Sequence, residues 1–143
     1  MVAVSRTFVV DKDPATVLAY LANFSNAPEW DPGTQTCVPK DDSPVAVGKT
    51  WLNTSKIAGV TTQLDYTITE LDDSHVLLIG KNKTATSSDK MSVRPHAKGC
   101  EVTYDAVITF NGAAKLGTPV IRLVFEYLGN KVVTGITAGV AKL

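Results

Sequence analysis

Residues 118–143 carry a helix pattern, and they follow a stretch, residues 36–110, of almost pure strand pattern. At 100° per residue, Ile121, Val124, Phe125, Leu128, Val132, Ile136 and Leu143 fall on one face of that helix, together with Gly135 and Gly139. Glu126, Asn130, Thr134 and Thr137 fall opposite. About 24 helical residues would reach roughly 36 Å, enough to cross a whole sheet. A single long amphipathic helix laid over a large antiparallel sheet has few architectural versions, and some of them enclose a cavity.

The rest of the chain fills in the order of elements. Residues 2–10 alternate as a first strand, with Val2, Val4, Phe8 and Val10 on one face and Arg6 interrupting it. Asp13-Pro14 supplies a cap and a first-turn proline for a short helix over 14–23, and a second short turn runs through Pro28-Glu29-Trp30 until Asp31-Pro32-Gly33 stops it. Strands follow over 36–40, 48–57 and 60–71, the last two joined by a tight turn at Ala58-Gly59. Pairing Ile57 with Val60 sets Asn53 opposite Leu64 and Trp51 opposite Tyr66. Further strands are read over 76–80, 90–94 and 100–110, with 81–88 as a polar connection and 111–117 as a flexible loop before the Thr118-Pro119 cap. The order is one strand, two short helices, about six strands and one long helix.

The 143 residues fit one domain, residues 1–143, long enough to bury a core without staples. Lys plus Arg equals Asp plus Glu, at 14 each, so the chain has no electrostatic reason to seek nucleic acid or anionic lipid. The first residues lack the apolar core of a secretion signal, and no apolar run is long enough to span a membrane, so a cytoplasmic location is expected. Cys37 and Cys100 match no metal spacing and read as two reduced, buried thiols rather than a disulfide. Two histidines and two cysteines far apart give no metal signature, and no glycine-rich loop has phosphate-binding spacing, so no cofactor is expected.

This order, with Asp13-Pro14-Ala15 after strand one, Pro28-Glu29-Trp30-Asp31 after the first helix and Val47-Gly48 opening the third strand, resembles the START/Bet v1-like (SRPBCC) superfamily, and within it the bacterial polyketide cyclase/dehydrase-type proteins. The resemblance covers essentially the whole chain. It implies an α+β helix-grip fold, in which a curved seven-stranded antiparallel sheet wraps the long helix and two short helices close one end. It also implies an elongated apolar cavity between sheet and helix that takes sterols, lipids, polyketides or similar molecules. Some such proteins cyclise or dehydrate polyketides, others only bind or carry, and others act through a partner. The family has no universal catalytic motif, so no catalytic residue follows from it.

Three functions are therefore expected, in this order: binding of a hydrophobic small molecule, polyketide cyclase or dehydratase chemistry in the same cavity, and a partner-binding regulatory or toxin-like module. The expected lining from the sheet is Trp51, Leu64, Tyr66, Met91, Val93, Tyr104, Ala106, Ile108 and Phe110, faced from the helix by Phe125, Leu128, Val132 and Ile136, with Trp30 nearby. An interior helix glycine costs on the order of 1 kcal/mol against alanine. Gly135 and Gly139 therefore mean either close backbone packing or space left for a ligand. On the second reading Gly135 borders the cavity, and Gly135→Leu blocks binding without unfolding the chain. Tyr66 or Tyr104 supplies a hydroxyl for catalysis or serves as a core aromatic. His75 and His96 fall in turns, and no pair of carboxylates stands out by spacing.

Overall fold

A computed structural model describes residues 1–57, 59–112 and 118–143. Strand β1 (Val2–Val10) leads into helix α1 (Pro14–Ala22), a single 3-10 turn at Phe24–Asn26, and the short helix α2 (Ala27–Trp30). Six strands follow: β2 (Thr34–Pro39), β3 (Thr50–Ile57), β4 (Val60–Leu71), β5 (His75–Lys81), β6 (Ala85–His96) and β7 (Gly99–Phe110). Helix α3 (Thr118–Ala141) closes the order. The seven strands form one antiparallel sheet ordered β1-β7-β6-β5-β4-β3-β2. Six strands thus run as a meander, and β1 adds to its far edge beside β7. Helix α3 packs on β1 and α2. Curved sheet, long helix and two short helices make this a Bet v1-like helix-grip fold.

Local chemistry sets these elements. Asp13 caps α1, its carboxylate accepting from Thr16 N–H at 3.1 Å and from the Thr16 hydroxyl at 2.7 Å, with Pro14 in the first turn. The β3–β4 register is the expected one: Ile57 faces Val60, Asn53 faces Leu64 and Trp51 faces Tyr66. The expected turn between them includes Ala58, which lies outside the described residues. So does most of the expected loop over 111–117.

The core lies between the concave sheet and the helices. Trp51, Phe24 and Trp30 are fully buried, and the Phe24 ring meets each indole edge-on at 6.1 Å between centroids. The Trp51 indole donates to Ser25 Oγ at 2.9 Å. Cys37 and Cys100 are both free and buried.

Three expectations need correction. The stretch 81–88 is not one connection: the turn covers only its first half, where Asn82 Oδ1 accepts from the N–H groups of both Thr84 and Ala85 at 2.8 Å, and β6 starts at Ala85. The third strand starts at Thr50, because Gly48 adopts φ +98° while donating to Ile68 O at 2.8 Å. On α3, Leu143 lies past the helix end and is half-exposed, whereas Val140 completes the buried face with Val132 and Ile136.

Candidate functional site

A cavity of about 90 Å³ lies between the middle of the sheet and the first half of α3. It adjoins an apolar compartment of about 210 Å³ that reaches the rim at Val60, Phe110 and Ile121. Ile57, Thr62, Leu64, Ile108 and Phe125 border both spaces. Together they reach the low end of the roughly 300–1,000 Å³ usual for small-molecule sites.

The two walls differ in chemistry. The helix wall is Phe125, Leu128, Gly129 and Val132. The sheet wall mixes apolar groups with Ser55, Tyr66, Ser87, Asp89 and Tyr104, and Asp31 joins them from the turn after α2. Strand register explains the placement. One row across the sheet runs Ile68, Leu78, Asp89, Ala106, Val4, which sets a carboxylate in an otherwise apolar line. The neighbouring row runs Trp51, Tyr66, Gly80, Ser87, Ile108. Gly80 is required there, because a Cβ on it would stand 2.6 Å from the Tyr66 ring. The bare backbone lets that ring lie across the adjacent strand toward Ser87 and Asp89.

Burial dominates the electrostatics. Asp89 is 7 % exposed, and its carboxyl is pushed up to about 7, first by desolvation and then by the Asp31 charge; the nearby Tyr66 hydroxyl offsets part of this. Asp31 is also raised by burial, while the Gly33 N–H at 3.0 Å and the Thr34 hydroxyl at 2.9 Å favour its ionised form. Behind Asp31 runs a buried relay: Ser55 donates to Asn53 Oδ1 at 2.6 Å, and Asn53 donates to Thr34 Oγ1 at 3.1 Å. Every donor in that relay points toward Asp31. Burial, followed by the Asp89 charge, holds the Tyr66 and Tyr104 hydroxyls protonated. The Cys37 thiol is pushed up to about 12, chiefly by burial, and is no nucleophile.

The sequence profile described as polyketide cyclase / dehydrase and lipid transport matches residues 1–143. The chain belongs to that family. Among solved structures, a START superfamily protein from Mycobacterium smegmatis is similar over 98% of this chain and 97% of its own, with a TM-score of 0.80 at 12% identity. The Zhui aromatase/cyclase from Streptomyces sp. R1128 is similar over 98% of this chain and 93% of its own, with a TM-score of 0.80 at 11% identity. Ara h 8.0201 is similar over 99% of this chain and 98% of its own, at TM-score 0.68 and 15% identity. At such identities these likenesses speak for the fold alone. No curated protein matches the chain in sequence. Family and fold support ligand binding, or polyketide cyclase/dehydrase function, in a hydrophobic cavity. No helix among the described residues is long and apolar enough to cross a membrane.

Within this polyketide cyclase / dehydrase family member, the expected lining residues separate into groups. Leu64, Tyr66, Tyr104, Ala106, Ile108, Phe125, Leu128 and Val132 come together around the cavity, and Phe110 borders its outer compartment. Trp30, Trp51, Met91, Val93 and Ile136 are buried in the core but do not line it. Gly135 does not line it either. A Cβ there would collide with the Trp30 carbonyl, standing 2.8 Å from its carbon atom, and a Cβ on Gly139 would collide with the Tyr20 hydroxyl. Both glycines serve close packing, and the expectation that Gly135→Leu leaves the chain folded is withdrawn. His75 sits between Glu70 and Asp72, at 2.8 and 3.0 Å, away from the cavity.

Sequence reasoning missed Asp31, Ser55, Ser87 and Asp89. For Ser87 and Asp89 a signal existed: counting back by twos from Val93 and Met91 puts both on the inner face of β6. The pairing of Asp31 with Asp89 is tertiary, and no spacing encodes it.

Proposed function

We propose that this chain, acting as one unit over residues 1–143, binds a small hydrophobic molecule between the sheet and the first half of α3. The body of the ligand lies against Phe125, Leu128 and Val132, and its polar end meets Tyr66, Asp89 and Tyr104. One observation carries the reading: a cavity with a dry helix wall and, opposite it, a wall of convergent polar groups. Native mass spectrometry of the purified protein tests it, paired with Ala106→Leu, which puts a branched side chain into the cavity. Co-purified or added apolar ligand is expected to raise the melting temperature of the wild type but not of the variant. Equal responses in both would place binding elsewhere.

A second reading is favoured by Asp89. A carboxyl held near neutrality beside a hydroxyl donor suits proton transfer during cyclisation or dehydration. That reading expects turnover of a polyketide-like substrate to follow a titration near pH 7 and to vanish in Asp89→Asn.

A further inference from the structure

The polar wall of the cavity has a sign. Its ionisable side chains are Asp31, Asp89, Tyr66 and Tyr104, and no lysine, arginine or histidine lines it among the described residues. The elements packed against Asp89 add no cation. From β5 it meets Leu78, from β7 Ala106, and α3 contributes Phe125, Leu128 and Val132 to the facing wall. Arg6 lies against Gly129 on the helix wall, but its guanidinium is held outside the cavity: it pairs with Glu126 at 2.9 Å, donates to the Glu126 carbonyl at 3.1 Å and to Asn130 at 2.9 Å, and donates to the carbonyl of Ser5 at 2.8 Å.

A second observation points into the same space. The Tyr104 side chain is 7 % exposed and lines the cavity, and its hydroxyl has no hydrogen-bond partner among the described residues. The one fully sealed side-chain polar atom without a partner among the described residues is Trp30 Nε1; the Tyr104 hydroxyl instead opens onto the cavity, where a ligand can supply its partner.

We propose that the cavity selects a ligand carrying a positively charged amine on a flat apolar body, and rejects the matching carboxylate. An ammonium brings three donors, and Asp89, Asp31 and the Tyr104 oxygen offer three acceptors. The relay through Thr34, Asn53 and Ser55 holds Asp31 as an acceptor. An anion in the same position would face two carboxylates with no cation to balance it. The aromatic body would lie against Phe125 and Leu128. This inference rests on the binding reading above and adds the charge of the ligand to it.

Three probes on one naphthalene body test the inference by isothermal titration: 2-(aminomethyl)naphthalene, 2-(hydroxymethyl)naphthalene and 2-naphthoate. At pH 8 the amine is expected to bind about tenfold or more tightly than the alcohol, and the carboxylate at least about tenfold more weakly than the alcohol. The amine's advantage is expected to shrink as the pH falls from 8 to 5 and Asp89 takes up its proton. In Asp89→Asn the amine's advantage over the alcohol should fall about fivefold or more, with Asp31 alone left to attract it. Binding of the alcohol as tight as that of the amine, or tightest binding of the carboxylate, would overturn the charge selection while leaving the cavity reading intact. Failure of all three to bind would overturn both. An amine preference undiminished in Asp89→Asn would overturn Asp89 as a group that selects the amine.

Discussion

Residues 125–132 and 135–140 of α3 present one continuous face to the same fold, yet the first stretch borders a cavity and the second is locked in place. In the second stretch, Gly135 and Gly139 bring the helix closer to Trp30 and Tyr20 than a methyl group allows, and Ile136 and Val140 are fully buried. In the first stretch, Phe125 and Leu128 are only half-buried and face a wall that holds two carboxylates and two tyrosines. Gly135 and Gly139 border no cavity, while Gly129, packed as closely against Val4, borders one; a glycine on a buried helix face therefore does not by itself mark a cavity. The space lies where the opposing strands carry polar groups, which a dry, close-packed contact would leave unsatisfied.

Substitution at the locked end should do the most damage. Gly135→Leu drives a side chain into the α2 backbone, which cannot move aside as a flexible side-chain tip can. A loss of about 3 kcal/mol or more is expected, the top of the overpacking range, read as a lower urea midpoint. Ligand-binding loss in a variant of unchanged midpoint would instead restore Gly135 to the cavity.

Asp89→Asn comes next, and its sign is opposite. In the folded protein Asp89 keeps its proton to about pH 7, whereas an unfolded aspartate releases it near pH ~3.9. Between those values the folded state holds the extra proton, so stability falls as pH rises through the window, and the full penalty stands above it. That penalty is on the order of 4 kcal/mol, and an amide that recovers half of it would stabilise the protein at pH 8 by about 2 kcal/mol. Wild-type stability should also decline from pH 4 to 7 more steeply than that of the variant. Parallel pH profiles would show that Asp89 is not buried in its charged form.

The smallest expected effect lies in the sheet wall. Gly80→Ala pushes the Tyr66 ring off β5 at a cost of about 1–2 kcal/mol. It should weaken ligand binding beyond what that loss of stability explains, because the hydroxyl moves with the ring. Unchanged affinity would show that Tyr66 packs the core and does not serve the ligand.

Much of this architecture was legible in the chain. Pairing Ile57 with Val60 across the expected Ala58-Gly59 turn fixed the β3–β4 register down to the Trp51–Tyr66 pair, and a one-residue slip would reverse every side chain. The cap chemistry of Asp13-Pro14 marked the start of α1. The two tyrosines of the polar wall were legible, but its carboxylates and serines were not, for two physical reasons. The start of β6 is rich in serine and threonine, so composition resembled a loop although the two-residue period continued through Asp89. And Asp31 shares the cavity with Asp89 only because the turn after α2 folds over the sheet, a placement no local pattern carries. The glycines of α3 were legible as a face but not as a neighbour, since periodicity gives direction and not distance.

The most direct test is a methyl-labelled NMR titration of the wild type with 2-(hydroxymethyl)naphthalene. Shifts at Ala106, Leu128 and Val132, with Val17 and Val140 unmoved, are the predicted result. Shifts as large at Val17 and Val140, or none at Ala106, Leu128 and Val132 at millimolar probe, would contradict a binding cavity under the first half of α3.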